Sequence, residues 1–458
     1  MKLLSSIIRK IGDAFSSSDS GVAVAGKKPD NTYAIPNLDS NGNLITTPGL
    51  ANAFSLDAFY RQRVSNPQTI FDSKQVADSQ PLFWDDQQTS GAGTSSTYNT
   101  NKASTTIAVG NLTAGTRVRQ TFRRFNYQPG KSQLFLETGT WGASATGITK
   151  RSGLFDGNNG IFFQQDQNGM YIVLRTFTSG VAVDNKIHQN NPIYSTDGVS
   201  TWNQDKLDGT GASGLTLNMA KSLIWFADFE WLGVGTIRYG FIINGTPIYV
   251  HFYHNSNIIV GVYMSTPNLP LRYEISNNSL GPAANFEHIC STVIAEGGLQ
   301  DSGYPFGITR GATPITTAND TNLYVLAAIR LKSTHIGSTV SIIDLSIACT
   351  STAAFNYYII VNPTIAGTAL SFTGVTNSSV EQDVSRTNTT TVTAGTGTII
   401  KSGSAQATND ASLTAIVPRD FALGSNIAGT SDIVVLAVQR VTGTTETFYG
   451  GFNIKDQQ

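Results

Sequence analysis

Two carboxylates set two residues apart, Asp228 and Glu230 in the stretch IWFADFEWLG, are the side chains best spaced for acid–base chemistry in this sequence. On an extended strand residues i and i+2 share a face, about 7 Å apart. That separation is compatible with the two carboxylates of an inverting glycosidase. Trp225 and Trp231 flank the acids and could stack on sugar rings. On the same strand, however, the tryptophans alternate with the acids and point to the other face, where core packing accounts for them without a ligand. Asp228 and Glu230 therefore form a candidate glycan site, hydrolytic or purely binding, and burial of either acid would speak against hydrolysis.

The second constellation is cationic. Within RVRQTFRRFNYQPGKSQLFLETGTW (117–141), Arg117, Arg119 and Arg123 fall on one face of an extended strand and run into Phe125 and Tyr127. Val118, Gln120, Phe122 and Arg124 fall on the other. A stripe of cations leading into aromatics could stack against single-stranded nucleic acid. Carboxylates close by in sequence, Asp72, Asp78, Asp85 and Asp86, offer partners instead. Arginine's planar fork suits bidentate pairing with them. We therefore expect Arg117, Arg119, Arg123 and Arg124 to form an ion-pair cluster within the chain or between subunits, with no nucleic-acid partner.

Other motifs carry less. His251 and His254 in HFYH point to opposite faces of a strand and cannot share a metal as a helical pair could. GTGASG (209–214) has the letters of a dinucleotide fingerprint without a β–α context, so it reads as a glycine-rich turn. HExxH, GxSxG and paired CxxC motifs do not occur. No catalytic residue, cofactor or metal is assigned, and the chain is expected not to be an enzyme. Cys290 and Cys349 lie in apolar runs and read as buried free thiols, a single disulfide between them being the alternative.

These groups must be positioned by β-strands. Charged residues make up only 13% of the 458, about half the usual share, while 40% are hydrophobic and 44 are glycine. Such a composition suits many strands joined by small-residue turns. The 30 basic and 31 acidic side chains nearly cancel, which argues against duplex DNA or an anionic membrane as a global partner. Asn168-Gly169 and Asn244-Gly245 sit between alternating segments and signal hairpins. Pro129-Gly130 fits a type II turn joining TRVRQTFRRFNY to SQLFLETGTW as a third. Without a βαβ alternation or internal repeat, the expected fold is mainly β, an antiparallel sandwich of jelly-roll type.

Four regions follow. Residues 1–15 have helical spacing, with Leu4, Ile8, Ile11 and Phe15 on one stripe, and read as an amphipathic anchor or oligomerisation helix. Residues 16–55 read as a linker or extended arm, with a possible short helix after it at 57–63. A main sandwich is expected over 56–350 and a β-rich C-terminal region over 351–458, where the composition shifts to small polar residues near 365. The lysine and leucines of the N-terminus do not make a secretory signal, because Ser5, Ser6, Arg9 and Lys10 interrupt the apolar run. No segment has the length of apolar chain a membrane helix needs.

The succession IFDSKQVADSQPLFWDD, RVRQTFRRFNYQPGKSQ, KRSGLFDGNNGIFF, TWNQDKLDGTGASG, FEWLGVGTIRYGF and STPNLPLRYEISN resembles a group of virion proteins of tailed bacteriophages, of tail-fibre or head-fibre type. GSNIAGTSDIVVLAVQRV resembles the end of the same group. The resemblance covers roughly 55–350 and transfers no catalytic residue. It implies a virion structural protein located on the particle, a fibre or other appendage acting in assembly and possible host attachment. Taken with the β-rich composition, the expectation is a homotrimer with other virion proteins and a host-surface glycan as partners. A glycan-binding receptor-recognition protein or polysaccharide depolymerase is the alternative.

Overall fold

The computed structural model describes residues 26–27, 33–34, 56–58, 61, 66–300, 302–351, 353–406 and 421–457. The chain divides into two units, Met1–Ser55 and Leu56–Gln458. Of the first, a two-residue antiparallel pairing of Gly26–Lys27 with Tyr33–Ala34 is described. The stripe Leu4, Ile8, Ile11 and Phe15, most of the linker, and most of the possible helix at 57–63 lie outside the described residues. No helix among the described residues is long and apolar enough to cross a membrane.

The second unit is built from antiparallel sheets, in agreement with the mainly β sandwich that the alternation predicts. Residues 68–295 form a seven-stranded front sheet and an eight-stranded back sheet. The front sheet runs Val183–His188, Gly169–Thr176, Gly160–Asp166, Ile148–Phe155, Leu271–Asn277, Gly115–Thr121 and Trp84–Gly91 in spatial order. The centre of the back sheet is made by Ile237–Ile243, Ser222–Phe229, Gln133–Thr140 and Ala284–Ala295. Alternate residues of each strand point between the sheets, so that Leu154, Ile161, Phe163, Ile172 and Ile275 of the front meet Phe135, Trp225, Ala227, Tyr239 and Phe241 of the back in one core.

Residues 304–457 build a second sandwich with its own core, including Leu326, Leu345, Ile347, Phe355, Leu436 and Phe452. Its smaller sheet pairs Glu446–Gln457 with Tyr304–Thr309, Ile315–Thr317 and Thr339–Cys349. The boundary expected at 350 falls within the second sandwich, at the bend between Thr339–Cys349 of its smaller sheet and Ala354–Val361 of its larger one, and the change from first to second sandwich comes near residue 300. Sequence alone hid this because both sandwiches use the same alternating strands, and the partner of Thr339–Cys349 lies a hundred residues downstream. The small-residue stretch after 365 forms short strands, Ile365–Gly367, Thr373–Gly374, Val380–Asp383 and Thr390–Val392, that belong to the larger, eight-stranded sheet.

Turn chemistry places the hairpins. Asn244 and Gly245 both have positive φ, 54° and 75°, as a tight I′ turn requires, and close Ile237–Ile243 onto Thr246–Tyr253. At the other site the turn residues are Gln167 and Asn168, and Gly169 pairs with Asp166. The third expectation is corrected. Gly130 has the positive φ of a type II turn and Lys131 N donates to Gln128 O at 3.1 Å, but no hairpin results. Gly115–Thr121 belongs to the front sheet and Gln133–Thr140 to the back. Beyond Thr121 the chain leaves its strand, Phe125 bridges to Leu269, and Phe125 and Tyr127 enter the core as the segment crosses the end of the sandwich.

Candidate functional site

Asp228 and Glu230 are both fully buried, so the groove that their spacing suggested is not formed. Asp228 ends the back strand Ser222–Phe229 opposite Arg238, whose Nε donates to Oδ1 at 2.8 Å and whose Nη2 closes the fork on Oδ2. Arg238 Nη2 also donates to Leu56 O at 2.8 Å. Glu230 accepts from the Tyr127 hydroxyl at 3.0 Å and lies 3.5 Å from Arg61 Nη2. Burial pushes its carboxyl up to about 7, against the opposing pull of Tyr127 and Arg61. The pair is corrected from a glycan site to two separate tethers. Their spacing on a strand was read rightly, but Leu56 and Arg61 lie against them. Trp225 is buried in the core and donates from Nε1 to Glu137 Oε2 at 2.9 Å.

The arginines are found in three places. Arg117 and Arg119 converge on Asp86, Arg117 Nε at 2.6 Å and Arg119 Nη1 at 3.3 Å. Arg124 pairs with Asp156 at 2.6 Å, and Arg123 donates to Ile70 O at 3.2 Å. Asp85, next to Asp86, instead accepts from Ile427 N of the second sandwich at 2.7 Å. Arg119 is 1% exposed and belongs to a polar chain inside the first sandwich. Its Nε donates to His288 Nδ1 at 3.2 Å, His288 Nε2 meets Ser291 Oγ at 3.0 Å, and Ser291 Oγ meets the Tyr273 hydroxyl at 3.1 Å. Burial and the neighbouring guanidinium hold His288 well below the ordinary histidine range, so it is neutral. These groups resemble a relay in composition, but they are sealed between sheets and serve packing.

The remaining motifs are structural. His251 is buried, its Nδ1 accepts from Asn203 N at 3.2 Å, and burial with nearby His254 lowers it to about 4. His254 is exposed and meets Thr236 Oγ1 at 3.2 Å. In GTGASG, a Cβ on Gly211 would lie 2.1 Å from Asp205 Oδ1, so glycine is required where Asp205 ties down the loop through Leu207 N and Ser213 N. Cys290 and Cys349 are free and half-buried rather than buried.

A different surface brings polar groups together: the outer face of the front sheet. Register places Arg151 opposite both Gln164 and Glu274, and Arg272 opposite Gly153 and Gln120. Glu274 accepts from Arg151 Nη1 at 2.5 Å and from Arg272 Nη2 at 2.6 Å. Although burial pushes the Glu274 carboxyl up, the two guanidiniums pull it down to about 2. Gln164 accepts from Arg151 Nε at 2.8 Å, and Gln120 from Arg272 Nη1 at 3.2 Å. Farther across the sheet, Arg175 pairs with Asp184 through Nε at 2.7 Å and Nη2 at 3.0 Å.

Beneath these groups lie stacked rings. Phe155 and Phe162 are fully buried on this outer face, 4.4 Å apart between centroids. The Arg272 guanidinium stands 5.2 Å from the Phe155 centroid and that of Arg175 5.2 Å from Phe162. Gly153 and Gly160 leave room for them: a Cβ on Gly160 would lie 2.3 Å from Phe155 Cβ, and one on Gly153 2.6 Å from Phe162 Cα. The arginine side chains stay reachable, at 25% exposure for Arg151, 14% for Arg175 and 13% for Arg272. Sequence reasoning missed this face because its residues come from separate strands. The signal present was Arg-x-Glu in LRYEISN, which puts Arg272 and Glu274 on one side of one strand.

No family model and no curated protein matches this chain. Solved structures overlap with about half of it. An endo-β-1,4-glucuronan lyase from the fungus Trichoderma reesei is 12% identical, covering 49% of this chain and 95% of its own, with a TM-score of 0.30. A legume lectin-like domain from Entamoeba histolytica is 9% identical over 49% of this chain and 96% of its own, TM-score 0.29. Peanut lectin is 11% identical over 50% and 98%, TM-score 0.27. Likeness this low carries no inference about this chain.

Proposed function

We propose that this chain is a non-enzymatic glycan-binding protein whose contact surface is the outer face of the front sheet. The observation that carries the reading is the array of Arg151, Glu274, Arg272 and Gln164, locked by ion pairs above stacked rings yet reachable from solvent. Groups fixed before a ligand arrives lose little freedom on binding, and polar side chains on rigid strands can be presented to sugar hydroxyls at set spacings. Hydrolysis would need two carboxylates facing one groove. Burial of both Asp228 and Glu230 supports binding without turnover.

The setting comes from the resemblance of residues 55–350 to virion proteins of tailed phages. The chain is a fibre or other appendage of a phage particle, homotrimeric, held through residues 1–15, with glycan contact serving host attachment. Presenting full-length protein to arrayed host-surface glycans tests the binding reading, with retention expected on a subset and no shortening of the bound chains. Absence of retention on every glycan, or release of oligosaccharide, would overturn it. The particle setting is tested separately by replacing Ile8 and Ile11 with Asp. Loss of incorporation into particles with the β-unit still folded is expected, and normal incorporation removes the anchoring role.

A further inference from the structure

Taking the front face as a glycan-contact surface, which rests on the reading above, we infer that its ligand is an acidic saccharide, recognised through carboxylate or sulfate groups, with Arg151 as the principal contact. The first ground is charge. Arg151, Arg272 and Arg175 form ion pairs with two carboxylates, Glu274 and Asp184. Three guanidiniums to two carboxylates leave the array itself one positive charge in excess, on a chain whose formal net charge is −1. Elsewhere on the face Lys186 stands over Tyr171 beside Asp166, and Asp85 lies at the far edge in line with Gln120, so the excess belongs to the arginine array.

The second ground is hydrogen-bond capacity. A guanidinium carries five N–H donors and a carboxylate accepts from two such groups at once. Arg272 uses Nε and Nη2 on Glu274 and Nη1 on Gln120, and Arg175 uses Nε and Nη2 on Asp184 and Nη1 on Asp156 O. Arg151 uses Nε on Gln164 and Nη1 on Glu274, and its Nη2 makes no hydrogen bond among the described residues. Arg151 is also the most exposed of the three arginines. A guanidinium held in place on two sides with its third nitrogen free is a ready donor to an anionic oxygen.

Orientation is the third ground. Lys186 lies 5.6 Å from the Tyr171 centroid on the neighbouring strand, with Val173 directly opposite it in register. Val173, Phe162 and Gly153 occupy the row between Lys186 and Arg272. The two cations thus stand at opposite ends of that row, with the Arg175 guanidinium over Phe162 between them, so a saccharide carrying anionic groups on successive residues can meet more than one of them. A neutral saccharide would leave the excess charge of the arginine array unanswered.

The test uses the full-length chain, with affinity electrophoresis through gels containing a polyuronate, a sulfated galactan or neutral dextran. Retardation is expected in at least one acidic gel and not in dextran, weakening as NaCl is raised because the contacts are charged. The uronate and sulfate arms identify which anion is read. Arg151→Gln should weaken the interaction about tenfold, the equivalent of one charge-assisted hydrogen bond, and Lys186→Gln, at the other end of the row, should weaken it in the same direction. Retardation by dextran equal to that by the acidic gels, and lost in Arg151→Gln, overturns the acidic class and leaves the glycan reading standing. Acidic binding unchanged in both variants overturns the assignment to this face. No retardation in any gel, together with a blank glycan array, overturns both.

Discussion

Replacing Glu137 by Gln should change how stability responds to pH in a direction opposite to the usual loss of a surface carboxylate. Glu137 lies fully buried between the two sheets, on Gln133–Thr140. Its Oε2 accepts from Ser152 Oγ at 2.7 Å and Trp225 Nε1 at 2.9 Å, and its Oε1 has no hydrogen-bond partner among the described residues. Burial raises its pKa from 4.5 to about 8, only partly offset by Ser152 and Trp225. The folded state therefore holds a proton that the unfolded chain has lost, so stability falls as pH rises through this interval. The slope is about 1.4 kcal/mol per pH unit, which makes about 5 kcal/mol between pH 4.5 and 8.

Other buried groups titrate nearby. Glu230, raised to about 7, adds a loss of the same sign below that pH. His251, lowered to about 4, adds a gain between there and 6.5. Glutamine keeps an acceptor for Ser152 and Trp225 but cannot ionise. Urea unfolding followed by tryptophan fluorescence at pH 7.0 and 8.0, compared between wild type and Glu137→Gln, isolates Glu137, because the other groups contribute alike to both proteins. Wild type should lose about 1 kcal/mol over that step relative to Glu137→Gln. Parallel pH profiles for the two proteins would refute the buried, protonated carboxyl.

Asp228→Asn should cost about 3–5 kcal/mol, because it leaves the Arg238 guanidinium buried without its counter-charge. Chemical denaturation at pH 7 measures it, and a loss below 1 kcal/mol would count against the tether. Lys150, whose Nζ donates to Trp141 O inside the sandwich, is lowered from 10.5 to about 8 by burial. It is charged in both states at pH 7, so Lys150→Met should stabilise by up to about 3 kcal/mol there. The gain should fade between pH 8 and 10.5, where the wild-type fold sheds the proton and recovers stability, and a gain that persists undiminished would contradict the assignment. Burial also raises the Cys290 thiol. In a Cys349→Ser background it should react with a disulfide reagent at pH 8 more slowly than glutathione does, and an equal or faster rate would refute it.

The alternation of apolar residues was enough to read a mainly β chain, which the strands of both sandwiches bear out. Asn244-Gly245 marked its hairpin because a I′ turn needs positive φ at both residues, a local demand that a dipeptide can signal. Pro129-Gly130 signalled a turn just as well but could not say which sheet the chain enters next. That depends on Phe125 and Tyr127 being drawn into a core whose other walls lie more than a hundred residues away. Asp228 and Glu230 had the right spacing and the wrong surroundings, since Leu56 and Arg61, which lie against them, precede them by about 170 residues. The front face was illegible for the same reason. Arg151, Gln164, Arg272 and Glu274 become neighbours only when three strands take their register.

An antiparallel sheet tolerates water on one face, so the front sheet did not need rings and paired guanidiniums on its outer side to fold. Isolated threonines and serines would have sufficed, as on Thr94–Asn99 at the edge of the back sheet. If the array served stability alone, removing Arg151 would reveal its whole value in an unfolding experiment. That value is modest: Glu274 is buried but keeps Arg272 when Arg151 is gone, so the loss is that of one charge-assisted contact, about 2 kcal/mol. Arg151→Gln should therefore move the urea midpoint only modestly while it weakens acidic-saccharide retention about tenfold. A variant that unfolds readily and binds normally would reverse that ranking and return the face to scaffolding. The separation of the two readouts, measured on one variant, distinguishes a face that holds the sheet together from one that the sheet holds ready.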